Sequence, residues 1–165
     1  MSSIIADAGP LIAMGRIGHI SLLSQLLGKL IIPQAVADEC FSERSRPGAR
    51  EIQQAVNENR IEIHQNPAMH TYQKWLDVLG PGESAAIALA VQFKTGLLID
   101  EKLGRSVAKK MNIQFIGTAG VLLLAKQKKY VPMITPLIAA LKLQSYYLSA
   151  ALEKEVLMQA DELED

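Results

Sequence analysis

The sequence has little cysteine, few aromatic residues and no excess of either charge. Its 165 residues include one cysteine, Cys40, which excludes an intrachain disulfide framework and suits a reducing compartment. Lysine plus arginine and aspartate plus glutamate each number 17, so the formal net charge is zero. A neutral chain is not expected to bind nucleic acid strongly without regard to sequence, and any such binding must come from local basic patches.

Long apolar runs are also missing. No stretch reaches the roughly 18–20 apolar residues of a membrane span. The N-terminus lacks the basic start and the long apolar stretch of a signal peptide. We therefore expect a cytoplasmic protein. No segment rich in proline, glycine or serine suggests a linker, so residues 1–165 are most economically a single domain with a full core.

Short apolar runs alternate along the chain with longer segments of helical periodicity. The runs predict strands at 3–6, 29–32, 60–64, 97–99 and 114–116. The other segments predict helices at 10–15, 20–27, 33–41, 51–59, 70–79, 83–93, 102–111, 118–128, 136–143 and 149–160, and a loop at 42–50. This alternation predicts an α/β fold, a three-layer α/β/α domain with a central parallel sheet. The C-terminal helices, about 136–160, are expected to pack on this domain or on a partner.

Carboxylates stand at predicted strand ends and helix starts, where packing does not require them. They are Asp7, Glu39, Glu83, Asp100 and Glu101. In a doubly wound parallel sheet the carboxyl ends of the strands converge at one edge, and ligands bind there. Carboxylates meeting at that edge repel one another unless a hard cation lies between them. The pattern therefore predicts a Mg²⁺-type site suited to phosphodiester chemistry.

Each carboxylate also has a structural explanation. An Asx turn or a helix N-cap would account for Asp7, and the dipole of its helix for Glu83. Glu39 fits a solvated helix face, and Asp100 and Glu101 fit caps of the helix that follows them. These explanations serve each residue alone. They leave unexplained why all the positions fall where an α/β sheet builds its crevice.

Other kinds of site lack their motifs. The three histidines, His19, His64 and His70, and the one cysteine have no zinc-ligand spacing. The chain has no phosphate-binding P-loop, no Gly-x-Gly-x-x-Gly fingerprint and no Gly-x-Ser-x-Gly elbow. A catalytic serine triad is not excluded by spacing alone.

Basic residues follow two of the carboxylates. Arg44 and Arg46 come soon after Glu39, and Lys102 and Arg105 come soon after Asp100. These side chains either grip a phosphate backbone beside the acidic site or form an ordinary solvated face.

Four segments carry a family resemblance. They are Asp7-Ala-Gly-Pro-Leu-Ile12, Leu79-Gly-Pro-Gly-Glu-Ser-Ala-Ala-Ile-Ala-Leu-Ala90, Leu97-Leu-Ile-Asp-Glu101 and Ile116-Gly-Thr-Ala-Gly-Val-Leu122. In this order they resemble a prokaryotic branch of the PIN-domain superfamily of metal-dependent ribonucleases, which includes the toxins of many toxin–antitoxin pairs. The matches run from about residue 4 to about residue 160.

The resemblance implies an endoribonuclease that uses Mg²⁺ or Mn²⁺ and acts as the toxin of such a pair, with RNA and a small antitoxin protein as partners. Asp7, Glu83 and either Asp100 or Glu101 would ligate the metal, and Glu39 would ligate it directly or through water. The residues expected to contact substrate or support the site are Arg44, Arg46, Lys102, Arg105 and Thr118. Thr118 is equally well explained as a helix N-cap.

Two positions depart from the branch. Gly9 stands where serine is usual, and Glu101 stands where a second aspartate is usual, which moves its carboxylate by roughly 1.5 Å. These departures motivate an alternative from another class, a PIN-like module that binds RNA or protein and has lost turnover.

Apolar residues on the last two predicted helices bear on assembly. Leu152, Val156 and Leu157 share one side of the last helix, and 137–143 is also rich in apolar residues. Both helices either cover the domain's own sheet or leave a surface for a two-fold homodimer or an antitoxin.

Overall fold

The computed structural model describes residues 2–163, in which five strands form one sheet. The strands are β1 (Ser3–Ala6), β2 (Lys29–Pro33), β3 (Ile61–His64), β4 (Leu97–Leu98) and β5 (Phe115–Ile116). Their order across the sheet is β3-β2-β1-β4-β5, and every neighbouring pair is parallel. The predicted α/β class and the parallel sheet are confirmed.

Nine α-helices lie within the described residues and flank the sheet in three layers. They are α1 (Ala8–Arg16), α2 (Ile20–Leu27), α3 (Gln34–Phe41), α4 (Ala49–Asn57), α5 (Pro81–Phe93), α6 (Lys102–Lys110), α7 (Thr118–Gln127), α8 (Thr135–Leu143) and α9 (Ala150–Gln159). Several helix ends differ from the predicted ends by one or two residues. None of the helices in residues 2–163 combines the length and the apolar character needed to cross a membrane.

Strand β1 occupies the centre of the sheet because its residues are apolar and can be covered on both faces. Ile5 and Ala6 are fully buried, and Ala6 pairs with Leu98 of β4. The chain builds outward from β1 to β2 and β3 on one side, and then places β4 and β5 on the other. The crevice of such a sheet opens where the strand order reverses, which here is the carboxyl end of β1 and β4.

Helix α5 is the most deeply buried helix and positions part of the crevice. Residues 84–90 are all buried, and α5 contacts β1, β2, α3 and α6. Its alanines allow this close approach because they add little side-chain volume. Gly80, predicted to end the preceding helix, is instead the N-cap of α5, and Pro81 occupies the first helical position, where a missing N–H is tolerated.

The prediction of a helix over 70–79 is wrong. The structure has two short 3₁₀ turns, Met69–Thr71 and Gln73–Trp75, interrupted at Tyr72, whose φ of −132° is not helical. Tyr72 and Trp75 are nevertheless buried. The spacing of apolar residues therefore identified the side chains that pack into the core correctly. It did not identify the backbone, because 3₁₀ turns can direct the same side chains into the core.

The last two helices contribute to the same hydrophobic core. Ile138 of α8 and Val156 of α9 are 2% and 5% exposed, whereas Leu143 and Met158 are 85% and 58% exposed. Ser149 is the N-cap of α9, as expected, because its hydroxyl accepts the Leu152 amide at 3.1 Å. Both helices thus pack on the domain and still leave apolar residues in solvent.

Glu162 fastens the end of the described chain to the start of α8. Its carboxylate accepts hydrogen bonds from the amides of Ile134 and Thr135 and from the Thr135 hydroxyl at 2.7–3.0 Å. Lys126 pairs with it at 3.0 Å and also donates to the carbonyl of Ala160. Burial acts to raise the pKa of Glu162, but these hydrogen bonds outweigh burial and lower the pKa to about 2.

We expect Glu162→Gln to lower the free energy of unfolding by roughly 1–3 kcal/mol at pH 7, because it removes a charged acceptor from several donors. The folded-state pKa lies below the unfolded value, so this contribution is complete above pH 4.5 and is lost as the pH falls towards 2. Urea unfolding at pH 7 and pH 3 measures both effects.

The matched control is Glu153→Gln, which removes a surface pair with Lys142 at 3.1 Å and should cost under about 1 kcal/mol. Equal losses in the two variants at pH 7 would show that Glu162 does not fasten this end of the chain.

Candidate active site

Asp7 lies directly after β1, at the N-cap position of α1. Its side chain accepts no capping hydrogen bond, so the N-cap explanation does not account for it. The residue is only 4% exposed, and its Oδ1 atom has no hydrogen-bond partner among the described residues. Buried carboxylate oxygens are normally paired, so an unpaired one marks a position kept for something other than folding.

Gly82, at the start of α5, leaves space for the carboxylates of Glu39 in α3 and of Asp7. A Cβ atom at Gly82 would lie 2.9 Å from Glu39 Oε2 and 3.9 Å from Asp7 Oδ1. Both oxygens therefore border the same point above the helix. Any larger residue at Gly82 would occupy the space that these two carboxylates share.

Glu83 stands one residue further along α5 and supplies the glutamate half of a capping box, since the N-cap, Gly80, has no side chain. Its Oε2 atom accepts the Gly80 amide at 2.7 Å, which is the structural role expected of an acidic residue in a first helical turn. Glu83 also raises the pKa of both Asp7 and Glu39 through its negative charge. The same carboxylate thus caps α5 and belongs to the acidic cluster.

Asp100 and Glu101 follow β4 and point to different partners. Asp100 accepts the Thr118 amide at 2.7 Å and the Thr118 hydroxyl at 2.6 Å, and its charge raises the pKa of Asp7. Glu101 is exposed and accepts the Gly104 amide at 2.6 Å as the N-cap of α6. The structure therefore brings Asp100 to the cluster and turns Glu101 to its own helix.

Thr118 orients Asp100 through hydrogen bonds. It is fully buried and begins α7, whose N-cap is Gly117, so Thr118 is not the helix N-cap that was its alternative explanation. Both hydrogen bonds from Thr118 go to Asp100. The residue expected to contact substrate is thus placed to orient a carboxylate.

The four clustered carboxylates repel one another. Burial raises the pKa of Asp7 to about 7, against a lowering hydrogen bond from the Ala8 amide. The negative charges of Glu83, Glu39 and Asp100 add to this rise. Glu39 is exposed on α3, but partial burial of its carboxylate and the charge of Glu83 likewise raise its pKa, against the charge of Arg46. The cluster therefore has an excess of negative charge that the surrounding protein leaves uncompensated.

The chemistry of these donors, though not their present spacing, suits a hard divalent cation. In the part of the chain that the structure describes, no three acidic, histidine or cysteine side chains stand close enough to form a ready-made ligand group. The donors are all carboxylate oxygens, the ligand type that Mg²⁺ and Mn²⁺ prefer, and one of them is buried without a partner. A cation would draw these carboxylates together and offset their repulsion.

The predicted basic residues divide between two places. Arg46 pairs with Glu43 at 3.2 Å and lowers the pKa of Glu39 by its charge, so it lies near the cluster. Arg44 lies over the ring of Phe41 at 5.6 Å and lines a separate groove. Lys102 and Arg105 line a cleft that includes Asp100.

Tyr146 is a site residue that sequence reasoning missed. Burial and the charge of Asp100 raise the pKa of its phenol. Tyr146 and Asp100 line the same cleft, so the phenol lies near the carboxylate that Thr118 orients. It stands in the segment between α8 and α9, far from every motif, and no spacing in the sequence indicated that this segment returns to β4.

Gly9 lies beside the cluster, at the position where the resembling branch has serine. It is exposed, and a Cβ atom there would meet nothing within 4 Å. Space is therefore available for the serine side chain, and its absence changes the chemistry next to Asp7 without changing the packing.

Comparison with known families agrees with this architecture. A family model described as a PIN domain matches residues 3–162, which is nearly the whole chain. A search of curated proteins gives no match. The matched range includes every strand of the sheet and all four clustered carboxylates.

We expect Asp7→Asn to stabilise the metal-free protein at pH 8 by up to roughly 4 kcal/mol, at about 1.4 kcal/mol per pKa unit. The folded-state pKa of Asp7 lies above its unfolded value, so wild-type stability falls as the pH rises from 3.8 to about 7. The gain in the variant is therefore small at pH 4 and largest above pH 7. Urea unfolding at both pH values measures it.

Asp38→Asn is the control, because Asp38 is exposed on α3 and bonds only to the Gln34 amide group among the described residues. It should change stability little at either pH. An Asp7→Asn variant less stable than wild type at pH 8 would contradict the cost of burying this charge among the other carboxylates.

Proposed function

The chain belongs to the PIN-domain family, and we propose that it is a metal-dependent endoribonuclease that hydrolyses RNA phosphodiester bonds. PIN domains are generally nucleases and generally use divalent metal ions. The observation that carries the proposal is Asp7, a buried carboxylate with an unpartnered oxygen and three other carboxylates around it. It stands where the strand order of the sheet reverses, and neither capping nor packing explains it.

The carboxylates have distinct roles in this proposal. Asp7, Glu83 and Asp100 hold a Mg²⁺ or Mn²⁺ ion, and Glu39 binds it directly or through water. When bound, such an ion lowers the pKa of a water that attacks phosphorus and offsets the charge on the phosphate oxygens. Thr118 keeps Asp100 in its orientation by two hydrogen bonds. No side chain is needed as a covalent nucleophile.

Cationic side chains flank the cluster and would hold the RNA backbone. Arg46 lies beside Glu39, and Lys102 and Arg105 lie beside Asp100. Contacts from these residues to phosphates would position the RNA strand across the carboxylates, and they carry no base specificity. Arg44, in its separate groove, would extend the same backbone contact.

Asp7→Asn and Asp100→Asn should each lower Mg²⁺- or Mn²⁺-dependent RNA cleavage by a factor of roughly 100 or more, since each removes a charged ligand. Glu101→Gln should retain activity and lose about 1 kcal/mol of stability, because Glu101 caps α6. Cleavage of a labelled single-stranded RNA, with Asp38→Asn as control, measures these effects.

Full activity of Asp7→Asn, or undiminished cleavage in excess chelator, would overturn the proposal. A wild-type protein that retains RNA but does not cleave it with either metal would instead favour the alternative, a binding module that has lost turnover. Gly9 and the outward-turned Glu101 are the features that support that alternative.

We also propose that the protein acts in the cytoplasm as the toxin of a toxin–antitoxin pair and that it forms a homodimer. The buried Cys40 thiol, whose pKa is raised to about 12 mainly by burial, suits a reducing compartment. A groove of about 430 Å³ between α8 and α9 has an apolar part, which includes Leu143 and Leu157, and a polar edge of Thr135, Lys142 and Glu153. This groove supports assembly with a second copy or with an antitoxin.

Sedimentation of the free protein at micromolar concentration should show a dimer, and Leu143→Glu should give a monomer because a charge enters the apolar groove. Val78→Glu, at a position 60% exposed and outside that groove, should remain dimeric. A strictly monomeric wild-type protein would remove the homodimer and leave the groove to an antitoxin.

A further inference from the structure

A cleft of about 530 Å³ adjoins the acidic cluster at Asp100. It lies among α6, the start of α7, the segment between α8 and α9, and α9 itself. Sites for small organic ligands commonly have volumes of roughly 300–1,000 Å³. The cleft is therefore far larger than a metal ion needs and is of a size for one nucleotide.

One wall of the cleft is cationic. Lys102 and Arg105 line it, and the Arg105 guanidinium lies over the ring of Phe115 at 5.2 Å. Stacking on the ring restrains the guanidinium beside Asp100. Two cations next to a carboxylate cluster suit the phosphate adjacent to the scissile one, because they attract the RNA backbone to the edge of the site.

Two tyrosines also line the cleft. Tyr146 is half-buried, and Tyr147 beside it is 85% exposed. An exposed tyrosine ring next to a cationic wall is the combination with which proteins stack unpaired bases. Glu155, also in the lining, repels phosphate and therefore directs the backbone to the cationic wall.

We propose that this cleft holds one unpaired nucleobase of the RNA substrate, stacked on Tyr147, with its phosphate on Lys102 and Arg105. The proposal rests on the ribonuclease function proposed above and names a base-binding subsite for it. A base within a duplex is paired and stacked on its neighbours, so it cannot enter the cleft. The subsite therefore selects single-stranded RNA over double-stranded RNA.

The test of this subsite is the affinity of the whole protein for a short labelled single-stranded RNA. Fluorescence anisotropy measures the Kd in excess chelator, so that the RNA stays intact. Tyr147→Ala should raise the Kd roughly tenfold, because a base loses its stacking partner. Tyr147→Phe should bind as wild type does, because the ring is retained. Tyr130→Ala, at a tyrosine 50% exposed outside the cleft, is the matched control and should leave the Kd unchanged.

An RNA of the same length made of abasic nucleotides is the second probe. It should bind wild type roughly tenfold more weakly than the normal RNA does, and Tyr147→Ala should not weaken it further. Three results would overturn the subsite: an unchanged Kd in Tyr147→Ala, an equal loss in Tyr130→Ala, or duplex RNA that binds as tightly as the single strand. An unchanged Kd in Tyr147→Ala would mean that the exposed Tyr147 ring contacts a protein partner and not RNA.

The metal-free binding assay keeps the two proposals apart. Cleavage by wild type in Mg²⁺ or Mn²⁺ together with an unchanged Kd in Tyr147→Ala would refute the subsite alone. Loss of binding in Tyr147→Ala together with a wild type that never cleaves RNA would refute the ribonuclease and leave a base-binding module.

Discussion

The burial of Asp7 among other carboxylates, at the carboxyl ends of β1 and β4, is the constraint on which the site depends. Asp7 is held in the interior with one oxygen unpartnered, and burial raises its pKa to about 7, with the charges of the neighbouring carboxylates adding to the rise. Folding alone does not favour such a group, because an unpaired buried carboxylate costs free energy. Strain of this kind tends to persist where a ligand relieves it, and a hard divalent cation is the ligand that matches these oxygens.

The fold tolerates this cost because helix starts restrain two of the other carboxylates, Glu83 and Asp100. Glu83 caps α5 and Asp100 accepts two hydrogen bonds from Thr118 at the start of α7. A helix N-terminus favours negative charge, so these positions lower the cost of gathering the carboxylates. The buried, alanine-rich α5 and the central β1 fix the backbone that carries them. The acidic cluster is thus built on rigid elements, which favours precise placement of a metal and a phosphate.

Sequence reasoning located the parts of the site that strand and helix periodicity determine. Asp7 and Asp100 follow apolar strands, and the parallel sheet brings strand ends together, so their proximity was predictable. The orientation of Glu101 was not predictable. Asp100 and Glu101 are adjacent in the sequence, and only the folded structure shows which helix amide hydrogen-bonds to each. Tyr146 was not predictable either, since its place depends on how a C-terminal segment packs. The helix prediction for 70–79 was wrong for a related reason. The apolar spacing indicated which side chains are buried, and 3₁₀ turns bury them too.

Binding of a divalent cation by the clustered carboxylates can be observed in a crystal structure of wild type soaked with Mn²⁺, with anomalous scattering used to locate the ion. We expect one anomalous peak within about 2.5 Å of oxygens from Asp7 and Asp100, with Glu83 turned from its capping bond towards the ion. A fully occupied Mn²⁺ elsewhere on the protein, with Asp7 still unpartnered at the same concentration, would contradict it.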